Sequence, residues 1–262
     1  MRRLRHLTGR HRTQSINRLL GLLLAFNAGA INAGGVIVVH SYTSHMTGFV
    51  SVLADNLVLG EVTLVLGAIG ALLFFLMGAA TTAILVNWGH RRRLQSGYAL
   101  PLLLEAVLLL VFGLIGATLN RQTPFAVPLT VLLLTFTMGL QNALVTKVSS
   151  ALIRTTHMTG IITDLGIELG KLAYWNRGDS PPESRVRANR AKLRLYASLL
   201  AMFLAGGVLG AAGFNYLGFV SVVPLALVLL ALSLPPLLRD LRQFGHREPR
   251  AAAAPTPAPE RP

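Results

Sequence analysis

Two histidines occur in nearly the same setting: Thr43-Ser44-His45-Met46-Thr47-Gly48 and Thr155-Thr156-His157-Met158-Thr159-Gly160. A histidine titrates near neutral pH, so it can relay protons or bind a ligand. A glycine three residues on permits a chain break or a close approach of backbone. Thr47 and Thr159 are placed to cap a helix that follows, since threonine is a favoured N-cap. The open amides and positive dipole end of such a helix attract anions. Upstream of each histidine an asparagine interrupts an apolar run, Asn32 in Gly29-Ala-Ile-Asn32-Ala33 and Asn142 in Gly139-Leu-Gln-Asn142-Ala143. These residues, Asn32, His45, Thr47, Gly48, Asn142, His157, Thr159 and Gly160, make up the expected solute-binding set. A purely structural role competes with it: the asparagines as interhelical hydrogen-bond glue of about 1 kcal/mol each, the histidines as loop clasps.

Carboxylates add candidates for proton coupling. Asp55 follows His45, Asp164 follows His157, and Glu168 lies one helical turn beyond Asp164. Glu105 stands alone inside an apolar segment, and intramembrane carboxylates often carry protons. His45, Met46, His157 and Met158 would suit soft copper(I). No Cys and no further His/Met tract supports that, so neither metal nor cofactor is expected. No G-x-S-x-G elbow, H-E-x-x-H helix or phosphate loop is present, so no catalytic residue is assigned.

The elements that must position these groups follow from composition. Of the 262 residues 53% are hydrophobic and 13% charged, about half the charge of an ordinary soluble domain. No Lys or Arg occurs between Arg18 and Arg91, which reads as successive passes through a bilayer. The net charge of +14 sits in clusters at the ends of apolar runs, where orientation signals belong, and not on a soluble face that would bind nucleic acid. Six spans are predicted, at 16–38, 62–88, 98–119, 126–148, 195–216 and 218–238. Backbone at that depth must be helical. With both termini cytoplasmic, every basic cluster falls inside except Arg121.

Two shorter segments, 41–60 and 152–170, hold the repeated motifs. Counting them as full crossings would put the Arg91–Arg93 cluster outside, against the charge rule. They are therefore read as re-entrant or half-span elements. The expected fold is an all-α integral membrane protein of six helices in two inverted three-helix repeats: a basic N-terminus (1–15), repeat 1 (16–120), repeat 2 (121–240, with a cytoplasmic connection at 171–194) and a disordered tail (241–262). Three spans per half is odd, so the second copy enters upside down. Gly206 and Gly210 form a G-x-x-x-G packing pair.

The paired G-x-x-N-A and T-x-H-M-T-G motifs, with the run Asp164-Leu-Gly-Ile-Glu168-Leu-Gly170, resemble the YoaK-like family of uncharacterised multi-pass bacterial membrane proteins. The resemblance covers roughly residues 15 to 240 and implies a membrane fold without naming an activity.

Inverted repeats with interrupted helices are a plan of secondary transporters, with the site where the interruptions meet near the midplane. The expectation is a permease of the bacterial inner membrane for a small polar or anionic solute, coupled to protons, with the bilayer and that solute as partners, a homodimer as its assembly, and no nucleic acid. Two alternatives are a membrane-embedded enzyme using His45 or His157 with Asp164 as base and orienter, and a channel or scaffold subunit of a larger complex.

Overall fold

The computed structural model describes residues 14–92, 94, 96–118, 126–149, 153–176 and 185–245. The basic residues ahead of Gln14, Arg93, Arg121, Arg177 and the tail from 246 lie outside the described residues.

The described chain is all-helical: α1 (Gln14–Val39), α2 (Met46–Leu59), α3 (Val62–Arg91), α4 (Ala99–Thr118), α5 (Ala126–Val148), α6 (Met158–Ala173), α7 (Arg190–Leu217) and α8 (Val222–Gly245), with a 3-10 turn at Gly218–Ser221. Five runs are long and apolar enough to cross a bilayer: Asn17–Val39, Val62–Arg91, Ala99–Ala117, Leu129–Val148 and the 53-residue Arg190–Arg242. That last run is far longer than the roughly 20 residues one crossing needs. It breaks at Gly218, whose φ of 61° and ψ of −142° lie in a region reserved for glycine. The chain is of the multi-pass membrane type. The shorter α2 and α6, of 14 and 16 residues, are too short to cross.

α1 and α5 form the middle of the bundle, with 56% of their apolar windows buried against 17% for α3. The rest of α3 faces outward through Leu64, Leu66, Leu73, Leu76 and Ile84, as a lipid-facing helix does. The core lies between α1, α4, α5, α7 and α8, around Leu24, Leu102, Phe112, Leu134, Leu144 and Leu199.

Four Phe-x-x-Gly units set the closest crossings. Phe26 and Gly29 of α1 face Phe203 and Gly206 of α7; Phe136 and Gly139 of α5 face Phe75 and Gly78 of α3. At each glycine a Cβ would lie 2.0–2.1 Å from the carbonyl oxygen of the facing phenylalanine. Only glycine lets the backbones meet there, and such approach drives helix association where lipid offers no hydrophobic gain.

The register of these contacts fixes helix directions. Phe26, Ala30 and Gly34 meet Gly206, Gly210 and Phe214 in rising order, so α1 and α7 run parallel. Gly70 meets Leu132 and Thr82 bonds the Leu140 carbonyl, so α3 and α5 run parallel too. Asn17, Leu24 and Gly35 meet Val148, Gln141 and Leu134 in falling order, so α1 and α5 are antiparallel. α4 and α8 are antiparallel as well: Gly113 meets Val222 near the start of α8, while Ser96 bonds Asp240 near its end. The starts of α1, α4 and α7 and the ends of α3, α5 and α8 therefore share one end of the bundle. Arg18, Arg91, Arg92, Lys147, Arg190, Lys192, Arg194, Arg239 and Arg242 cluster there. Trp88 is half exposed at that end, with the Arg92 guanidinium 6.0 Å from its ring centroid.

Candidate functional site

Each asparagine of the repeated motif pins the loop that precedes a short helix. The Asn32 side-chain oxygen accepts from the Ser44 hydroxyl at 2.8 Å and from the Ser44 amide at 3.3 Å. The Asn142 oxygen accepts from the Thr156 hydroxyl at 2.6 Å. After α1 the chain thus folds back to the depth of Asn32 before α2 begins, and after α5 it folds back to Asn142 before α6. Both bonds stay within one half of the chain, so each asparagine clasps the loop that follows its own helix. Just before them Thr43 and Thr155 are fully buried, and their hydroxyls have no partner among the described residues.

His45 and His157 occupy the N-cap positions of α2 and α6, and neither side chain makes a capping bond. Thr47 and Thr159 are the second residues of those helices, so their expected role as N-caps is corrected. A cap needs the non-helical backbone that the histidines have, at φ −93° and −82°. The glycines of the motif explain themselves by the rings. A Cβ on Gly48 or Gly160 would fall within 2.6 Å of the histidine Nδ1. Each imidazole lies over the first turn, where only a glycine leaves room. Each helix start carries a partial positive charge, although the Met46 and Met158 amides already bond the Ser44 and Thr156 carbonyls.

The two short helices pack on different neighbours. α2 packs on α3 and α6 on α7, and α2 and α6 make no substantial contact. Along the antiparallel pair α1–α5, Asn142 neighbours Gln141, which bonds the Leu24 carbonyl. Asn32 lies eight residues further along α1, about 12 Å away at 1.5 Å per residue. The first set (Asn32, His45, Thr47, Gly48) and the second (Asn142, His157, Thr159, Gly160) are therefore separate.

The second station has a cavity of about 320 Å³ lined by Arg154, His157, Gly160, Ile161, Asp164, Tyr196 and Leu199. Arg154 brings a guanidinium, which binds carboxylate or phosphate bidentately. Asp164 engages Tyr196 of α7 by a hydrogen bond between side chains. Arg154 and Tyr196 were not in the expected set. Arg154 was read only as an orientation charge, and Tyr196 as an interfacial aromatic. The first station holds Tyr42 in the place of Arg154 and Val52 in the place of Asp164, so the chemistry of the two is unequal.

The remaining carboxylates are dispersed. Asp55 is exposed on α2. Glu168, beyond the cavity near the loop into α7, accepts from the Asn189 amide at 2.6 Å and from Lys171 at 2.9 Å. The Asn189 amide first, and Lys171 second, hold its carboxyl below the usual carboxylate range. Glu105 is buried in α4 and accepts from Asn27 of α1 at 3.3 Å, far from either histidine loop in the chain. No group of three or more His, Asp or Glu side chains able to hold a metal ion exists among the described residues.

A family model described as a protein of unknown function, DUF1275, matches residues 20–234. The chain belongs to that family, in keeping with the resemblance drawn from the motifs. The match ends within α8 and covers both histidine loops. No curated protein and no solved structure matches the chain.

Proposed function

We propose that the chain is a six-span permease of the bacterial inner membrane, built as two inverted repeats, that binds a small anionic or polar solute beside His157. Antiparallel pairing of corresponding helices supports the inverted plan: α1 with α5, and α4 with α8. The reciprocal pairing of α1 with α7 and α5 with α3 through the same Phe-x-x-Gly unit supports it further. The clustering of basic residues at one end supports cytoplasmic termini, by the excess of Lys and Arg on that side of inner membranes.

The observation that carries the solute site is the cavity of about 320 Å³ at the start of α6, which Arg154, His157 and the first helical turn line. That combination favours an anion twice over, through the guanidinium and through the helix start. The unequal stations suit alternating use: one re-entrant loop from each side, one with a cationic ligand set and one without. Interrupted helices lining a polar cavity are how transporters place binding groups at membrane depth.

The His/Asp enzyme reading has less support. Asp164 engages Tyr196, and no hydrogen bond joins it to His157 among the described residues.

The test is the melting temperature of the purified full chain in detergent against inorganic phosphate, sulfate, short carboxylates, amino acids, sugars and nucleobases. A ligand that binds the folded state stabilises it by about 2.7 kcal/mol at a hundred times its Kd. The expected result is a shift with one or more anions that Arg154→Ala and His157→Ala each abolish. A shift with neutral solutes alone, or one untouched by both substitutions, would remove the site.

A further inference from the structure

Inside the bundle three polar side chains from three helices are buried and incompletely paired. Asn27 on α1, Glu105 on α4 and Gln141 on α5 are each at least 99% buried. The Asn27 amide donates to Glu105 Oε1 at 3.3 Å, and the Gln141 amide donates to the Leu24 carbonyl at 3.4 Å. Leu24 and Asn27 are one turn apart on α1, so the two bonds are neighbours. After these bonds three oxygens remain without a donor among the described residues: Asn27 Oδ1, Glu105 Oε2 and Gln141 Oε1. A buried acceptor left unmade costs about 1–3 kcal/mol, more for a charged one. All three orphan atoms are acceptors.

The charged groups that could answer Glu105 are remote. α4 carries no other charged residue, and the 3-10 turn against it carries none. α1 has Arg18, nine residues or about 14 Å along the helix from Asn27. α5 has Lys147 in its last turn, α3 has His90 and Arg91 in its last turn, and α8 has Arg239, Asp240 and Arg242 near its end. Asp240 is held there by the Ser96 amide and hydroxyl. Among the described residues no cation makes an ion pair with Glu105. A lone carboxylate in such surroundings is far more costly than its neutral acid.

We propose that Glu105, with Asn27 as its amide partner and the Gln141–Leu24 bond one turn away on α1, is a reversible proton-binding site in the middle of the bundle. The proton sits on a carboxyl oxygen of Glu105 and supplies the donor that the cluster lacks. Glu105 is fully buried, so release of the proton requires water to reach it. Proton binding itself stands independently of the solute reading; its use in coupling solute movement rests on that reading.

The test is infrared difference spectroscopy of the purified full chain in detergent, in H2O and D2O, alongside its melting temperature across pH. The wild type is expected to show a carboxylic-acid C=O band at neutral pH that Glu105→Gln lacks. Its melting temperature is expected to fall relative to that of Glu105→Gln as pH rises. Asn27→Leu, which removes one partner and leaves the acid, should shift the band without abolishing it, and serves if Glu105→Gln fails to fold. Absence of the band from the wild type at neutral pH would overturn the proposal. So would identical pH profiles for wild type and Glu105→Gln. Stabilisation by sodium chloride over choline chloride that Glu105→Gln abolishes would replace the proton with a metal cation and overturn it too. None of these readings uses a solute, so a failed anion screen leaves them intact.

Discussion

Replacing Gly29 by alanine tests the way the helices are held together. The new Cβ would lie 2.0 Å from the Phe203 carbonyl oxygen. A comfortable carbon–oxygen contact is about 3.3–3.6 Å, so α1 and α7 must part by roughly 1.3 Å along that line. The obstacle is main chain, which cannot rotate away. A gap of 1 Å already forfeits a quarter to a half of each local dispersion contact. Forced overpacking of this kind costs about 1–3 kcal/mol, and packing is what holds membrane helices together. Gly29→Ala is therefore expected to lower stability by about 2 kcal/mol, on the order of 30-fold in the unfolding equilibrium. Titration with SDS from mild detergent micelles, followed by circular dichroism, would read it. Gly67 of α3 has open space around it, so Gly67→Ala should stay within about 0.5 kcal/mol of the wild type. Gly29→Ala with Gly206→Ala disturbs one crossing twice and should cost less than the sum. Gly29→Ala with Gly139→Ala disturbs two crossings and should add. A Gly29→Ala variant as stable as Gly67→Ala would refute the close-crossing argument.

Other expectations follow from single contacts. Asn142→Leu removes the acceptor of the Thr156 hydroxyl and should cost about 1 kcal/mol, with faster amide hydrogen exchange through 153–158; unchanged exchange would mean the loop is held by something else. Gly160→Ala places a methyl against the His157 ring. It should weaken the anion-induced rise in melting temperature relative to the wild type; an unchanged rise would mean that the ring position does not matter to binding. Glu168 titrates below the usual carboxylate range in the folded chain. Its contribution should be complete above the unfolded carboxylate pKa of about 4.3 and lost as pH falls through the lower folded value. Melting curves of Glu168→Gln and wild type should therefore differ at neutral pH and converge in acid; a constant gap would contradict that assignment.

Much of the architecture is local and so was legible in the residue order. Spans expected at 62–88, 98–119 and 126–148 correspond to helices at 62–91, 99–118 and 126–148, because apolar length sets a crossing. The short segments expected at 41–60 and 152–170 hold α2 and α6, because charge clusters forbade extra crossings. The pairings were not legible. Gly206 read as half of a G-x-x-x-G motif, yet its partner is the Phe26 carbonyl on a distant helix; which backbone meets a glycine is a property of two segments together. The histidines were marked by their repetition, and their places as the residues just ahead of α2 and α6 depend on backbone angles that composition does not encode. Arg154 and Tyr196 enter the cavity from a loop and a helix that sequence separates by 42 positions, and Tyr196 has no counterpart in the first half to advertise it. The bond between Asn27 on α1 and Glu105 on α4 joins residues 78 positions apart, and nothing in either apolar run marks that pairing.

The central claim is that two re-entrant loops enter the membrane from opposite sides. The chain has no native cysteine, so a single introduced thiol reports cleanly. Tyr42 and Arg154 are both exposed, one in each loop. Tyr42→Cys and Arg154→Cys should each react with a membrane-impermeant maleimide from one side of inverted and right-side-out vesicles only, Arg154→Cys from the cytoplasmic side and Tyr42→Cys from the opposite one. Labelling of both from the same side would contradict the inverted plan and with it the permease built upon it.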